Sequence, residues 1–283
     1  MKENEFTATP QHLLPVVGSL VLTGFLTYFV TVSNVKIESI TIFPETSQGA
    51  TLNTLLFIVP IAAMATIMYA LIKYGRERLV KNLIKATLIV AIFLLTNWYG
   101  EVVLSTYSLH LQFQNAITLV ASFMITLGLA YAIYRSRGVV QLGAIIAVGS
   151  LTGTFLGLSI PTLTAIVLLV ALSAYDLIAV YKGPIGKIAE KADLEGFVGA
   201  VCTYKNLTVG MGDIVFYSML ASNAMMNLGK LPFLGASIGL VVGAYAGFKM
   251  LEKRDMFPGL PFALLLGLGL SLLIWFSLDI LKF

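Results

Sequence analysis

Two aspartates stand inside runs of apolar residues long enough to cross a bilayer. Asp176 lies in the run 160–181, and Asp213 lies near the head of 210–228. A carboxylate in hydrocarbon costs about 2.5–3.5 kcal/mol on insertion scales, so such residues turn inward and mark function. Two of them in successive segments suggest a general acid–base pair. One carboxylate takes a proton from water; the other, protonated, donates to the carbonyl oxygen of a peptide bond, which is the chemistry of an aspartic peptidase. Acids at close range share a proton and titrate as a pair, so activity is expected to fall at both extremes of pH. Cys202 is the single cysteine, and His12 and His110 are far apart in the chain. No metal cluster, disulfide framework or cofactor is therefore expected.

The elements that must hold these acids are membrane helices. The chain of 283 residues is 58% hydrophobic and only 11% charged, whereas soluble domains carry about 25% charged residues. Nine segments have the length to span: 13–32, 52–73, 83–100, 115–134, 139–157, 160–181, 210–228, 232–250 and 258–280. About 20 apolar residues cross the hydrocarbon, and each such segment must be helical because lipid satisfies no backbone hydrogen bonds. The expected fold is an all-α polytopic membrane protein. The start, Met1-Lys2-Glu3, is mixed in charge and precedes a spanning run, so a cleaved leader is not expected.

Charge sets the orientation. With the N-terminus in the cytoplasm and nine crossings, fifteen of the eighteen Lys and Arg residues fall on the cytoplasmic side. Only Lys36, Lys230 and Lys282 fall outside, and the C-terminus lies outside with them. The net charge of +4 thus reflects loop placement and not a nucleic-acid surface. Asp176 then sits five residues from the cytoplasmic end of its span, and Asp213 within the first turn of the next. At about 1.5 Å per residue, both carboxyls lie about 5–10 Å below the cytoplasmic interface. Water reaches that depth from one side.

The neighbours of the acids fit this reading. Gly210 and Gly212, flanking Met211, remove side chains beside Asp213 and let a substrate backbone come close. Tyr175 precedes Asp176 and is read as packing or gating the site. Gly235, Gly239, Gly243 and Gly247 recur every four residues, as do Gly149, Gly153 and Gly157. Small residues at this spacing let helices approach closely, and packing within the chain is the expected use. Glu101 and Asp279 read as interfacial, and Asn97, Trp98 and Tyr99 as an interfacial belt. Glu190, Asp193 and Glu195 read as a solvated loop face, and Lys205 as a phosphate-facing anchor. Paired intramembrane acids also suit an ion or proton transporter or channel. Against that stand the lack of an inverted repeat, the lack of a mid-membrane break beside either acid, and the placement of both acids near one face.

Tyr175-Asp176 followed by Leu-Ile-Ala-Val, and Gly210-Met211-Gly212-Asp213 followed by Ile-Val-Phe-Tyr-Ser, resemble the YD and GxGD motifs of the presenilin and signal peptide peptidase family. The family's third motif, Pro-Ala-Leu at the ninth span, is matched by Pro258-Gly259-Leu260-Pro261, with glycine where the family has alanine. The resemblance implies an intramembrane aspartyl endopeptidase of nine spans. Asp176 and Asp213 would be catalytic, with Pro258, Gly259, Leu260 and Pro261 supporting the site. Phe216-Tyr217-Ser218 and the N-inside orientation are presenilin-like, since signal peptide peptidases are inverted. The short linker 182–209 makes the chain similar to a compact archaeal homologue. Prepilin-type peptidases share a GxGD aspartate but have fewer spans. A non-catalytic membrane scaffold would have no use for both acids.

The resemblance also implies the partners: transmembrane-helix proteins with their N-termini outside, in a lipid bilayer that is expected to be the cell membrane. A homo-oligomer stays open, and obligate partner subunits are not expected. In the family an extended substrate segment pairs with a strand before the seventh span. Residues 197–204 have strand-like composition, and Val198, Val201 and Thr203 are the candidate edge. A loop or a short surface helix is the equal alternative. The expected organisation is a five-helix part, 1–157, for scaffold and substrate access. A four-helix catalytic part, 158–283, carries the motifs, with 182–209 as a cytoplasmic linker.

Overall fold

The computed structural model describes residues 7–33, 35–106, 114–181, 201–204, 207–252 and 257–280, with 201–204 and 207–208 described by backbone alone. Six helices come first: α1 (Leu14–Val32), α2 (Ser47–Lys73), α3 (Glu77–Thr106), α4 (Gln114–Tyr134), α5 (Val139–Ser159) and α6 (Thr162–Tyr181). Strands β1 (Val201–Tyr204) and β2 (Leu207–Gly210) follow, then α7 (Met211–Asn223), α8 (Lys230–Leu251) and α9 (Leu260–Ile280). Local signals set the ends. Thr46 caps α2, its Oγ1 accepting the Gly49 N–H at 3.0 Å. Gly138 (φ +66°) and Gly229 (φ +113°) make the sharp entries into α5 and α8, a backbone region that glycine enters without strain.

The protein is an all-α polytopic membrane protein, as its composition requires. Eight helices among the described residues are long and apolar enough to cross a bilayer: α1 with its leading 3₁₀ turn, α2 to α6, α8 and α9. The segment expected as the seventh span is built differently. The 13-residue α7 runs into a five-residue π-helical stretch, Ala224–Leu228. At this junction Asn223 is buried and donates from Nδ2 to the carbonyls of Gly157 (2.9 Å) and Ile160 (2.8 Å) at the end of α5. Helix α3 is longer than its expected core, 83–100, because it continues past the apolar run at both ends.

Both glycine ridges pack within the chain, apart from Gly247 at the end of the second, where a methyl would meet no described residue within 4 Å. A methyl group on Gly149 would lie 2.7 Å from Ile214 Cγ2, one on Gly153 2.5 Å from Ser218 Cβ, and one on Gly157 2.5 Å from the Met219 carbonyl oxygen. Helix α5 therefore lies backbone to backbone against α7. The second ridge does the same between α8 and α9: a methyl on Gly239 would lie 2.5 Å from the Leu266 oxygen, and one on Gly243 2.5 Å from Ala263 Cα. Helix α7 is held between two apolar clusters. Tyr217, Leu220 and Ala221 pack with residues of α1, α6, α8 and α9. Met211 and Ile214 pack with Ile145 and Val148 of α5.

Of the residues read as an interfacial belt, Asn97–Tyr99, the tyrosine turns into the bundle. Tyr99 is buried, donates to the Leu151 carbonyl at 3.1 Å, and stacks edge-on with Trp98. Trp98 in turn meets Phe155 of α5. The aromatic pair joins α3 to α5, and the phenol finds its buried partner on that helix. Glu101 and Asp279 are exposed, and Glu101 accepts from Asn97 Nδ2 at 2.9 Å.

Candidate active site

The site is assembled from α6, α7 and the residues leading into α9. Asp176 is half-buried near the end of α6, one turn from Tyr181. Asp213 is in the first turn of α7, directly after β2. Both reach the same short stretch of backbone. Asp176 Oδ2 accepts the Leu260 N–H at 3.1 Å. Asp213 lies against Gly259, where a methyl group would come within 3.1 Å of Oδ2. Residues 258–261 are thus wedged between the two acids, with Pro258, Leu260 and Pro261 buried.

The Leu260 amide is free to serve Asp176 because it belongs to the first turn of α9, where helix N–H groups have no partner within the helix. Pro261 follows at a position where its missing N–H costs nothing. A second tie holds the stretch. Tyr217, one turn along α7 from Asp213, is buried and donates its hydroxyl to the Gly259 carbonyl at 3.1 Å. This role of Tyr217 went unread in the sequence. The available signal was its i+4 spacing from Asp213, which puts both side chains on one helix face.

The other expected residues fall as follows. Gly210 and Gly212 stand at the start of α7, Gly212 exposed with no described residue within 4 Å of the place a Cβ would occupy. Met211 is buried in the apolar cluster shared with α5. Tyr175 is half-buried beside Asp176. Val201 and Thr203 belong to β1, which pairs antiparallel with β2 in the register Val201↔Gly210 and Thr203↔Thr208. The strand reading of this stretch therefore holds over 201–204, and a second strand, β2, leads straight to Asp213. Val198, Lys205, Glu190, Asp193 and Glu195 lie outside the described residues.

A cavity of about 80 Å³ opens on the Asp213 side of this arrangement. Asp213, Tyr217 and Gly259 form one end, and Gly247, Phe248 and Leu251 of α8 form part of the wall. Among the described residues no three His, Cys, Asp or Glu side chains gather as a metal site. The arrangement offers two acids on one stretch of backbone, a pair that general acid–base hydrolysis of an amide can use.

A family model described as Presenilin matches residues 11–196, a stretch that includes Tyr175 and Asp176 and ends before Asp213. The fold is similar to two solved structures of a presenilin family intramembrane aspartate protease. One, in space group C222, is 20% identical with a TM-score of 0.61, covering 94% of this chain and all of that one. The other, in space group P2, is 21% identical with a TM-score of 0.64, covering 97% of this chain and all of that one.

Proposed function

The chain belongs to the presenilin family, and on that basis we propose that it is an intramembrane aspartyl endopeptidase with Asp176 and Asp213 as its catalytic pair. The observation that carries the proposal is the convergence of both carboxyls on Gly259-Leu260: one accepts the Leu260 N–H, the other abuts Gly259. This fixes two acids from different helices at one place, at the start of α7 and the end of α6. In the reaction one carboxylate removes a proton from water as its oxygen attacks the scissile carbonyl. The other acid donates its proton to the carbonyl oxygen. The gem-diol intermediate then collapses: the C–N bond breaks, the amine leaves with a proton from the first acid, and a hydroxyl proton of the diol returns to the second carboxylate, restoring the pair. Gly259, Leu260 and Tyr217 hold the pair in position, and no cofactor takes part.

The substrates are transmembrane helices, which must be unwound before a peptide bond is accessible. The hairpin supports a route for this. Tyr204 and Leu207 pair across two intervening residues, and the pair that closes such a hairpin is the hydrogen-bonded one. Pairing alternates from there, so the N–H groups of Val201 and Thr203 turn to the outer edge of β1, where an extended substrate segment can add as a strand. The N-terminus lies in the cytoplasm and the site opens toward it, the orientation that the Lys and Arg distribution favours. Residues 1–157 serve as scaffold and substrate access, and 158–283 as the catalytic part.

The test is cleavage of a reconstituted single-span substrate by purified protein, beside Asp176→Ala and Asp213→Ala. Each variant should lose activity by about 10²-fold or more while retaining its helical circular dichroism. Cleavage that survives either substitution would defeat the pair.

A further inference from the structure

Gly247 is buried, yet among the described residues a methyl group placed on it would meet nothing within 4 Å. Its three ridge partners on α8 behave otherwise. Gly235, Gly239 and Gly243 each press against α9, where a methyl would collide with backbone or side chain. The ridge runs past the end of that contact, and its last glycine meets no described residue closely enough to require the missing side chain. A glycine inside a helix costs about 1 kcal/mol relative to alanine, and the packing that offsets this at Gly239 and Gly243 is missing at Gly247. The space in front of it is the cavity beside Asp213.

That cavity is apolar away from the acid. Phe248 and Leu251 continue the α8 wall, Val16 of α1 and Phe257 close other sides, and Gly259 gives it a second side-chain-free position. A cavity of about 150 Å³ admits benzene. At about 80 Å³, this one has room for an aliphatic side chain and not for an aromatic ring. We propose that the cavity is a substrate subsite that receives one aliphatic side chain next to the scissile bond, with Gly247 setting its depth. The proposal rests on the protease reading. In an extended segment successive side chains point to opposite faces, so only one of the two residues flanking the scissile bond addresses the cavity.

The experiment uses reconstituted full-length protein and a single-span substrate in which each flanking residue is set in turn to Ala, Leu or Phe. Gly247→Val should lower the ratio of Leu to Ala cleavage at one flanking position by about tenfold or more and leave the ratio at the other position alone. Leu251→Ala, which enlarges the same cavity, should raise the ratio of Phe to Leu at that same position. Loss of rate by the same factor for every substrate, or equal changes at both positions, overturns the subsite. So does an unchanged set of ratios in both variants. Cleavage that persists in Asp213→Ala, or no cleavage by wild type, overturns instead the protease reading on which the subsite depends.

Discussion

Among the described residues, neither Gly210 nor Gly212 is pressed by a neighbour that would exclude a side chain. Gly210 has an ordinary extended backbone, φ −70° and ψ 137°, and a methyl on it would stand at normal contact distance, 3.8 Å, from the Asp213 carboxyl. A methyl on Gly212 would touch no described residue within 4 Å. Alanine is the better helix former by about 1 kcal/mol, and no described residue accounts for the bare backbone at 212. A substrate strand passing Asp213 requires it. Gly212→Ala should therefore keep or raise the melting temperature and reduce cleavage about tenfold; full activity at equal stability would remove the explanation. The same logic made the acids legible in the sequence, since a carboxylate in an apolar run has few structural uses. Tyr217 and Gly247 were not legible in this way. The Tyr217 hydrogen bond joins residues 42 apart, and the free space at Gly247 exists only where several elements meet.

At the scale of elements, α5 decides where Asp213 stands. Gly153 meets the backbone of α7 directly, and a methyl there would lie 2.5 Å from Ser218 Cβ and 3.0 Å from the Met219 nitrogen. Gly143, on the same helix, is exposed and faces open space. Gly153→Ala should therefore destabilise the protein by about 1–3 kcal/mol and lower cleavage, because α7 must shift and carry Asp213 with it. Gly143→Ala should be neutral or slightly stabilising; thermal unfolding in one detergent compares the pair, and equal effects would refute the contact. The four-residue spacing announced close packing in the sequence, but the choice of partner helix depends on tertiary contacts that spacing does not contain. The hairpin was half legible. The composition of 197–204 read as strand, while 207–209 fell in the linker 182–209 and Gly210 in the span 210–228, and β2 forms only because β1 pairs with it. Val201→Pro tests the edge selectively. Its N–H turns outward, so proline should spare the β1–β2 pairing, remove one donor for substrate, and cut cleavage several-fold with expression intact. Undiminished cleavage would remove strand addition from the mechanism.

For the whole molecule the decisive property is sidedness. The helices alone carry no sign of which end faces the cytoplasm; the sequence does, because insertion responds to Lys and Arg near the ends of spans. Asp176 sits near the end of α6 and Asp213 at the start of α7, so both acids belong to one face of the bilayer. If the N-terminus is cytoplasmic, that face is the cytoplasmic one. Substrates then present their scissile bonds near the inner surface, and the cleaved cytoplasmic fragment leaves into the cell. The α1–α2 connection, which contains exposed Lys36, must lie on the opposite side, and the turn with exposed Arg76 on the same side as the acids. Single cysteines placed by Lys36→Cys and Arg76→Cys in a Cys202→Ser background separate the two orientations. A membrane-impermeant thiol reagent applied to intact cells should label Lys36→Cys at once and Arg76→Cys only after permeabilisation. The reverse pattern would turn the protein over, put the paired acids on the outer face, and require substrates of the opposite polarity, while leaving the geometry around Gly259 and Leu260 unchanged.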